Sequence, residues 1–408
     1  MPGIDLHTHL APDIDDRTLG DLPGTKRDDD GLLVLDGHRA GPPSLYHPEG
    51  LEVYLDATGL DEAIVAVPPP FFRQHLVPHA ASAWTRALND GLLRRVSGHD
   101  RLSPLAYLPL EHPDAALREY ERVRDDPRWA GVTASAGGRS ISLADPALAR
   151  LWEALDRDER TILLHPGAAR DQRLALFYLA NLLGNPAETA VAAAELVFGD
   201  VLARHPGMRV VLVHCGGTLP AIVGRWQHGV ETHRPGLKPL TEPPRQVVRR
   251  FYVDCLAHDP AVVDLAINTF GADRLVLGSD WPFPMGTFDP RRSRGASRPG
   301  TRRAGSHGER GSGAGTLQGV GPPEAVRTGS PRGKELLGPD RLAGTGVARA
   351  PSLSQLGDEE QTPAALVEDA GAAQSRTGAT AVENLADEDA VVDQPQLDRG
   401  DCRSGWRW

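Results

Sequence analysis

Up to Phe288, short runs of aliphatic and β-branched residues alternate with segments whose apolar positions recur at helical spacing. The runs predict eight strands, at Gly3–Leu10, Glu62–Val67, Leu102–Leu108, Gly131–Ser135, Thr161–His165, Arg209–His214, Phe251–Cys255 and Arg274–Gly278. Between them lie amphipathic segments such as Pro146–Asp158, where Leu148, Leu151, Trp152 and Leu155 share one helical face. Strands that alternate with helices in this way predict an α/β fold with a parallel sheet. Eight of them predict a (β/α)8 TIM barrel, whose chemistry sits at the C-terminal ends of its strands. Two stretches break the alternation: Asp13–Pro48 reads as a long polar loop, and Gln172–Ala203 supplies two helical segments where one would suffice. Both follow strand ends that carry histidines, so both are placed to cover a site.

The pattern stops near residue 289. From Asp289 to Trp408 there is no Phe, Tyr, Ile or Met, and Arg-, Gly- and Ser-rich sequence takes over. The chain therefore divides into a barrel at 1–288 and a low-complexity, disordered tail at 289–408, because such a tail has little apolar surface to offset chain entropy. A barrel of this kind still needs its eighth outer helix after Gly286, and that helix is missing. Read one nucleotide out of frame, the codons between Ala296 and Gly315 permit an amphipathic helix. The tail reads either as a genuine disordered extension or, the favoured reading, as frameshifted sequence from a GC-rich gene, which the scarcity of lysine (only Lys26, Lys238 and Lys334) supports. Losing four or five large apolar side chains from a core, at about 1.5–3 kcal/mol each, predicts a barrel that folds poorly or lacks activity.

Composition narrows the classes of function. At 40% hydrophobic and 24% charged residues the chain has material for a core, and its net charge of −11 disfavours a nucleic-acid partner. Cys215, Cys255 and Cys402 have no CxxC spacing, which fits a reducing compartment. The first residues lack the regions of a signal peptide, and no apolar run approaches a membrane span, so a cytoplasmic protein with no membrane partner is expected.

The chemistry is carried by strand ends. His7 and His9 alternate on the first strand, so both side chains point to one face. His165 closes the fifth strand, His214 closes the sixth before Cys215-Gly216-Gly217, and Asp280 follows the eighth in LGSDWPFP. Three imidazoles, a carboxylate and an open position suit a zinc ion. The fourth strand, GVTASAGG, has no lysine to be carbamylated as a bridge, so one metal is expected, not two. His214 could coordinate the metal, act as general base or serve a structural role. General base is favoured, since His7, His9, His165 and Asp280 already make four ligands.

These residues carry a resemblance. HTH on the first strand, LLHPG, the stretch GNPAETAVAAAELVFGDVLARHPGMRVVLVHCGGTLPAIVGRWQHG, YVDCLAHDP and LGSDWPFPMG resemble the aminocarboxymuconate-semialdehyde decarboxylase branch of the amidohydrolase superfamily over roughly residues 1–288. The resemblance implies a metal-dependent decarboxylase, a carboxy-lyase of a small unsaturated or aromatic carboxylic acid. His7, His9, His165 and Asp280 would hold one catalytic Zn²⁺, with Mn²⁺ as the alternative, and His214 would activate the metal-bound water. It further implies a homodimer in which Arg39 and, across the interface, Arg234 grip substrate carboxylates. Where family members carry two tryptophans near the substrate, this sequence has Gly167 and Tyr178, Tyr178 being the substrate-facing position. The alternatives are a metal-dependent hydrolase of an amide or lactone using the same site, and an inactive truncated barrel.

Overall fold

The computed structural model describes residues 3–167 and 171–291. Seven strands form one parallel sheet in the order β1 (Ile4–His9), β5 (Glu62–Ala66), β6 (Leu102–Leu108), β7 (Gly131–Ala136), β8 (Thr161–Pro166), β9 (Arg209–Leu212) and β10 (Tyr252–Val253). The eighth position is taken by residues 275–281, which lack a regular ladder and pair through single bridges, Leu275 with Val253, Leu277 with Asp5 and Trp281 with Thr8. Backbone hydrogen bonds from Leu6 to Leu277 and from Val276 to Val253, each 2.9 Å, join this segment to the first and last strands. The curled sheet therefore has a (β/α)8 barrel arrangement, as the alternation predicted. The expected regular strand at Arg274–Gly278 is corrected to a bridging segment, interrupted by the turn at Asp280, whose φ is 61°.

Period-two alternation sorts the core into two layers. On β8, Ile162 and Leu164 face outward into the main cluster, where they meet residues of the surrounding helices, while Leu163 faces inward. The inward layer consists of Ala66, Leu105, Leu163, Val211 and Val213, with Tyr252 and Val276 packed against it. The barrel interior is thus filled, not open.

Outer helices follow the strands: α2 (Pro48–Thr58), α3 (Pro78–Arg95), α4 (Pro113–Val123), α5 (Ala149–Arg157), α6 (Asn185–Phe198), α8 (Leu219–Glu231), with the short α9 (Pro244–Val247) after it, and α10 (Pro260–Phe270). Proline at the first or second position starts most of them, where its missing N–H costs nothing. Asp259 caps α10 by accepting from the Ala261 N–H. Among the described residues no helix is long and apolar enough to cross a membrane.

The stretch expected to be a loop at 13–48 is built otherwise. It contains α1 (Asp16–Gly20) and a three-stranded antiparallel sheet of β2 (Thr25–Arg27), β3 (Leu33–Leu35) and β4 (His38–Arg39). The strands are too short for their alternation to stand out, and Leu32, Leu33 and Leu35 bury against the barrel's own cluster. The second interruption holds a π-helical turn at Ala180–Gly184, α6 and α7 (Val201–Arg204). The expectations for the tail fall, beyond Arg291, outside the described residues.

The inward layer supports the site above it, so Leu163→Ala, at a side chain 2% exposed, is expected to lower unfolding free energy by about 2–5 kcal/mol. Urea denaturation followed by circular dichroism reads this directly; an unchanged midpoint would show that Leu163 does not fill the barrel.

Candidate metal centre

At the C-terminal end of the barrel three imidazoles stand in a near-equilateral triangle. Ring centroids are 5.0 Å apart for His7 and His9, 5.2 Å for His7 and His165, and 5.1 Å for His9 and His165. β1 contributes two of them because residues two apart share a face, and β8 contributes the third on the same face as Leu163. Asp280, on the bridging segment, closes the group: its Oδ1 lies 3.1 Å from His9 Nε2 and 3.4 Å from His7 Nε2. One ligand atom from each of the four residues lies within 4.8 Å of the other three, and all four residues are buried.

The outer nitrogens of the imidazoles are occupied. His7 Nδ1 is 2.8 Å from the Asp254 carboxylate, His9 Nδ1 is 3.3 Å from the Ala66 carbonyl, and His165 Nδ1 is 3.1 Å from the Pro166 carbonyl. These partners are oxygen acceptors, so each Nδ1 donates and Nε2 is the nitrogen left for a ligand bond. His7 Nε2, His9 Nε2 and Asp280 Oδ1 are buried without any hydrogen bond of proper geometry. Orphaned buried acceptors are costly, and three converging on one point fit a divalent cation.

Electrostatics agree with that fit. Burial holds His165 well below the ordinary imidazole range, with His9, His7 and His214 adding repulsion, and burial likewise lowers His9. Asp280 would be raised by its burial, but His7, His214 and His9 outweigh this and hold it well below the carboxylate range. His7 is the exception: burial disfavours its charge, yet Asp280, Asp254 and Asp5 together raise it. A cation at Nε2 would displace that proton while Asp254 kept the other.

His214 stands beside the four. Its ring centroid is 5.5 Å from that of His7 and 5.4 Å from that of His165, and its Nε2 is 3.9 Å from Asp280 Oδ2. It follows β9 in a tight turn where His214 and Cys215 both take positive φ, 54° and 57°. Such strain needs surrounding structure to hold it. Asp254 supplies this by accepting from the backbone N–H of His214 (3.0 Å) and of Cys215 (2.7 Å).

Asp254 was not among the sequence candidates, although it lies in YVDCLAHDP, on the inward period of the seventh strand. Asp5 escaped too: fully buried two residues before His7, it accepts from Tyr54 Oη (3.0 Å) and from the Ser279 N–H (3.1 Å), fixing the segment that bears Asp280. Two aromatic rings stand against the imidazoles, Phe72 edge-on to His165 at 6.2 Å and Phe283 edge-on to His9 at 5.5 Å. Phe72 is held in turn by a stack on Tyr107 at 4.9 Å.

The remaining candidates lie elsewhere. Arg39, at the end of β4, is half-exposed and pairs with Asp28 and Asp30, each at 2.7 Å. Arg234 is exposed in the loop after α8, where its guanidinium donates to the Thr232 carbonyl. Tyr178 is 56% exposed in a turn with φ of 58°. Gly167 lies against Ser135 and Gln74, where an added Cβ would come within 2.3 Å of Ser135 Oγ.

Comparison with known proteins places this geometry. The 2-amino-3-carboxymuconate-6-semialdehyde decarboxylase of Dictyostelium discoideum is 28% identical, over 70% of this chain and 83% of that one. A 5-carboxyvanillate decarboxylase from Sphingomonas paucimobilis has a similar fold, with a TM-score of 0.61 at 21% identity over 73% of this chain and 94% of its own. So does a dihydroxybenzoic acid decarboxylase from Polaromonas solved with bound manganese, at a TM-score of 0.56 and 21% identity over 72% and 90% of the two chains. The likeness to the decarboxylase branch expected from the motifs is borne out. The amidohydrolase family model matches residues 4–328, and with the barrel and its histidine–aspartate cluster in view, this chain belongs to the amidohydrolase family.

Proposed function

We propose that this protein is a metal-dependent carboxy-lyase that removes carbon dioxide from a small aromatic or unsaturated carboxylic acid, an aminocarboxymuconate-semialdehyde-like acid being the finer reading. The observation that carries it is the convergence of three Nε2 atoms and one carboxylate oxygen on a buried point, with a fifth group, His214, beside them. The decarboxylases among its relatives supply the reaction class.

His7, His9, His165 and Asp280 would hold the cation, zinc in this reading on account of the N₃O donor set. When bound, a divalent cation supplies a Lewis acid that lowers the pKa of water and stabilises negative charge on substrate oxygen. His214 would take a proton from water through its Nε2 and return one, a role supported by its ring lying 5.5 Å from His7 and 5.4 Å from His165. Decarboxylation needs that return, because the electron pair of the broken carbon–carbon bond stays on the substrate and must be protonated. Phe72 and Phe283 would flank a flat substrate and exclude bulk water, strengthening every electrostatic contact inside.

Arg39, Tyr178 and Arg234 remain substrate contacts by family resemblance. Arg39 would have to exchange Asp28 and Asp30 for a substrate carboxylate, and Arg234 would act across a homodimer. A homodimer has support in the apolar residues that the 176–191 stretch leaves exposed, Leu176 at 66%, Phe177 at 83%, Leu182 at 52% and Val191 at 51%.

Carbon dioxide release decides between reactions. The metal-loaded protein, given hydroxybenzoic acids and an aminocarboxymuconate semialdehyde, is expected to release one carbon dioxide per acid consumed; hydrolysis of amides or lactones with no gas from any acid would overturn the proposal. Replacing His214 by Asn is expected to leave metal stoichiometry intact while kcat falls about 10²–10⁴-fold. Loss of metal together with activity would make His214 a ligand instead. Asp254→Asn is expected to weaken metal affinity by about 10–100-fold by releasing the tautomer of His7, measured by chelator competition with folding checked by circular dichroism.

A further inference from the structure

Glu111 is a buried acid that the proposed reaction leaves unused. It stands just past β6, at the C-terminal end of the barrel, in a turn closed by the His112 N–H on the Pro109 carbonyl at 2.9 Å. Leu110 beside it is fully buried, and one carboxyl oxygen of Glu111, Oε2, is sealed from solvent without a hydrogen-bond partner. This corner braces the segment after β5 at two points. His112 Nε2 donates to the Leu76 carbonyl at 2.8 Å, and Tyr107 Oη donates to the Phe72 carbonyl at 3.2 Å, while the Tyr107 and Phe72 rings stack 4.9 Å apart. Phe72 in turn stands edge-on to His165.

An ionised carboxylate with a sealed, unpartnered oxygen is costly, and the neutral acid is much less so. Among the described residues no charged side chain relieves it. On β6 the neighbour is the Tyr107 phenol, which burial holds well above its ordinary range, with Glu111 adding to the shift. On the segment after β5, Arg73 pairs with Asp36 and lies 5.1 Å over the Trp84 ring, and His75 is 3.3 Å from Asp36. Glu119 and Arg122 on α4 pair with each other and with Asp90 on α3. The neighbouring ends of β5 and β7, IVAV and TASA, carry no charge. Burial therefore pushes the Glu111 carboxyl up to about 7, offset only by its own backbone N–H.

We propose that Glu111 is a proton switch built into the rim of the barrel: with its proton it packs in the corner that braces Phe72, and without it the corner opens to hydrate the charge, loosening residues 71–76 beside His165. The coupling follows from the braces, since water reaches Oε2 only if the turn that also carries His112 gives way. The switch stands apart from the decarboxylase reading, because neither cation nor substrate enters it. Linkage sets its direction. The carboxyl's ordinary value is 4.5, so the stability that the buried proton confers is fully present below that value, is lost as pH rises to about 7, and stays lost above.

The test compares the full-length protein with Glu111→Gln, which keeps the shape and cannot ionise. Hydrogen exchange of the Phe72 and Leu76 amides, which donate to the Pro69 and Arg73 carbonyls, is expected to match in the two proteins at about pH 5.5 and to be about ten-fold or more faster in wild type at about pH 8.5. Unfolding constants from urea melts should diverge in the same sense, by about ten-fold or more between about pH 5 and about pH 7.5. Infrared difference spectra supply a readout that packing alone does not move: the C=O stretch of a protonated carboxyl, present at about pH 5.5 and removed by Glu111→Gln. The subtraction also separates Glu111 from Asp5, another acid raised by burial. Should the Gln variant fail to fold, Glu111→Met removes the same titration and is read in the same way. Equal exchange at both pH values, unfolding constants that run parallel with pH, or a Glu111 carboxyl already ionised at about pH 5.5 would each overturn the proposal.

Discussion

The Asp254 carboxylate ties the site together. Fully buried, it accepts from His7 Nδ1 on β1 and from the backbone of His214, Cys215 and Leu256. Four donors offset the cost of burying one charge, and they come from three separate parts of the barrel. The same carboxylate thereby sets the tautomer of one prospective ligand and holds the strained turn that aims His214. One carboxylate thus holds both His7, in the histidine–aspartate cluster, and the turn that carries His214.

Close packing enforces that arrangement. Gly278 sits where an added Cβ would fall 2.7 Å from Asp254 Cβ and 2.9 Å from His7 Cβ, closer than side chains approach one another. Glycine there lets the bridging segment pass near enough for Asp280 to reach His7 and His9. Its backbone is pinned by the Asp280 N–H to the His7 carbonyl at 2.8 Å and by the Asp5 carboxylate on Ser279. Below, Ala66, Leu105, Leu163, Val211 and Val213 fill the interior so that the imidazoles rest on apolar support. Desolvation from that packing keeps His9 and His165 neutral and ready to donate lone pairs.

The insertion after β1 is tied by an ion pair to the chain beside the candidate centre. Its Asp36 reaches across to Arg73 on the segment that also carries Phe72, whose ring lies against His165. Substitutions in the insertion therefore act on a stretch of chain shared with the candidate centre, through an ion pair whose Arg73 side is buried and would lose its carboxylate partner.

Much of this was present in the sequence for a plain reason: a strand has a period of two, and a barrel places its chemistry at strand ends. HTH, the histidines that follow the fifth and sixth hydrophobic runs, and the aspartate after the eighth were sufficient to name the five clustered side chains, because one-dimensional spacing maps onto one rim. Eight parallel positions followed from the same alternation. What sequence could not carry was partnership across distance. Asp254 and Asp5 look like ordinary aspartates until His7, His214 and Ser279 are brought against them, and Arg73 looks like a loop charge until Asp36 and Trp84 enclose it. The small sheet at 25–39 was hidden because strands of two or three residues are too short for a period to show. Local pattern determined which residues could do chemistry; tertiary packing decided which protons they hold, since burial and neighbouring charge exist only in the folded chain.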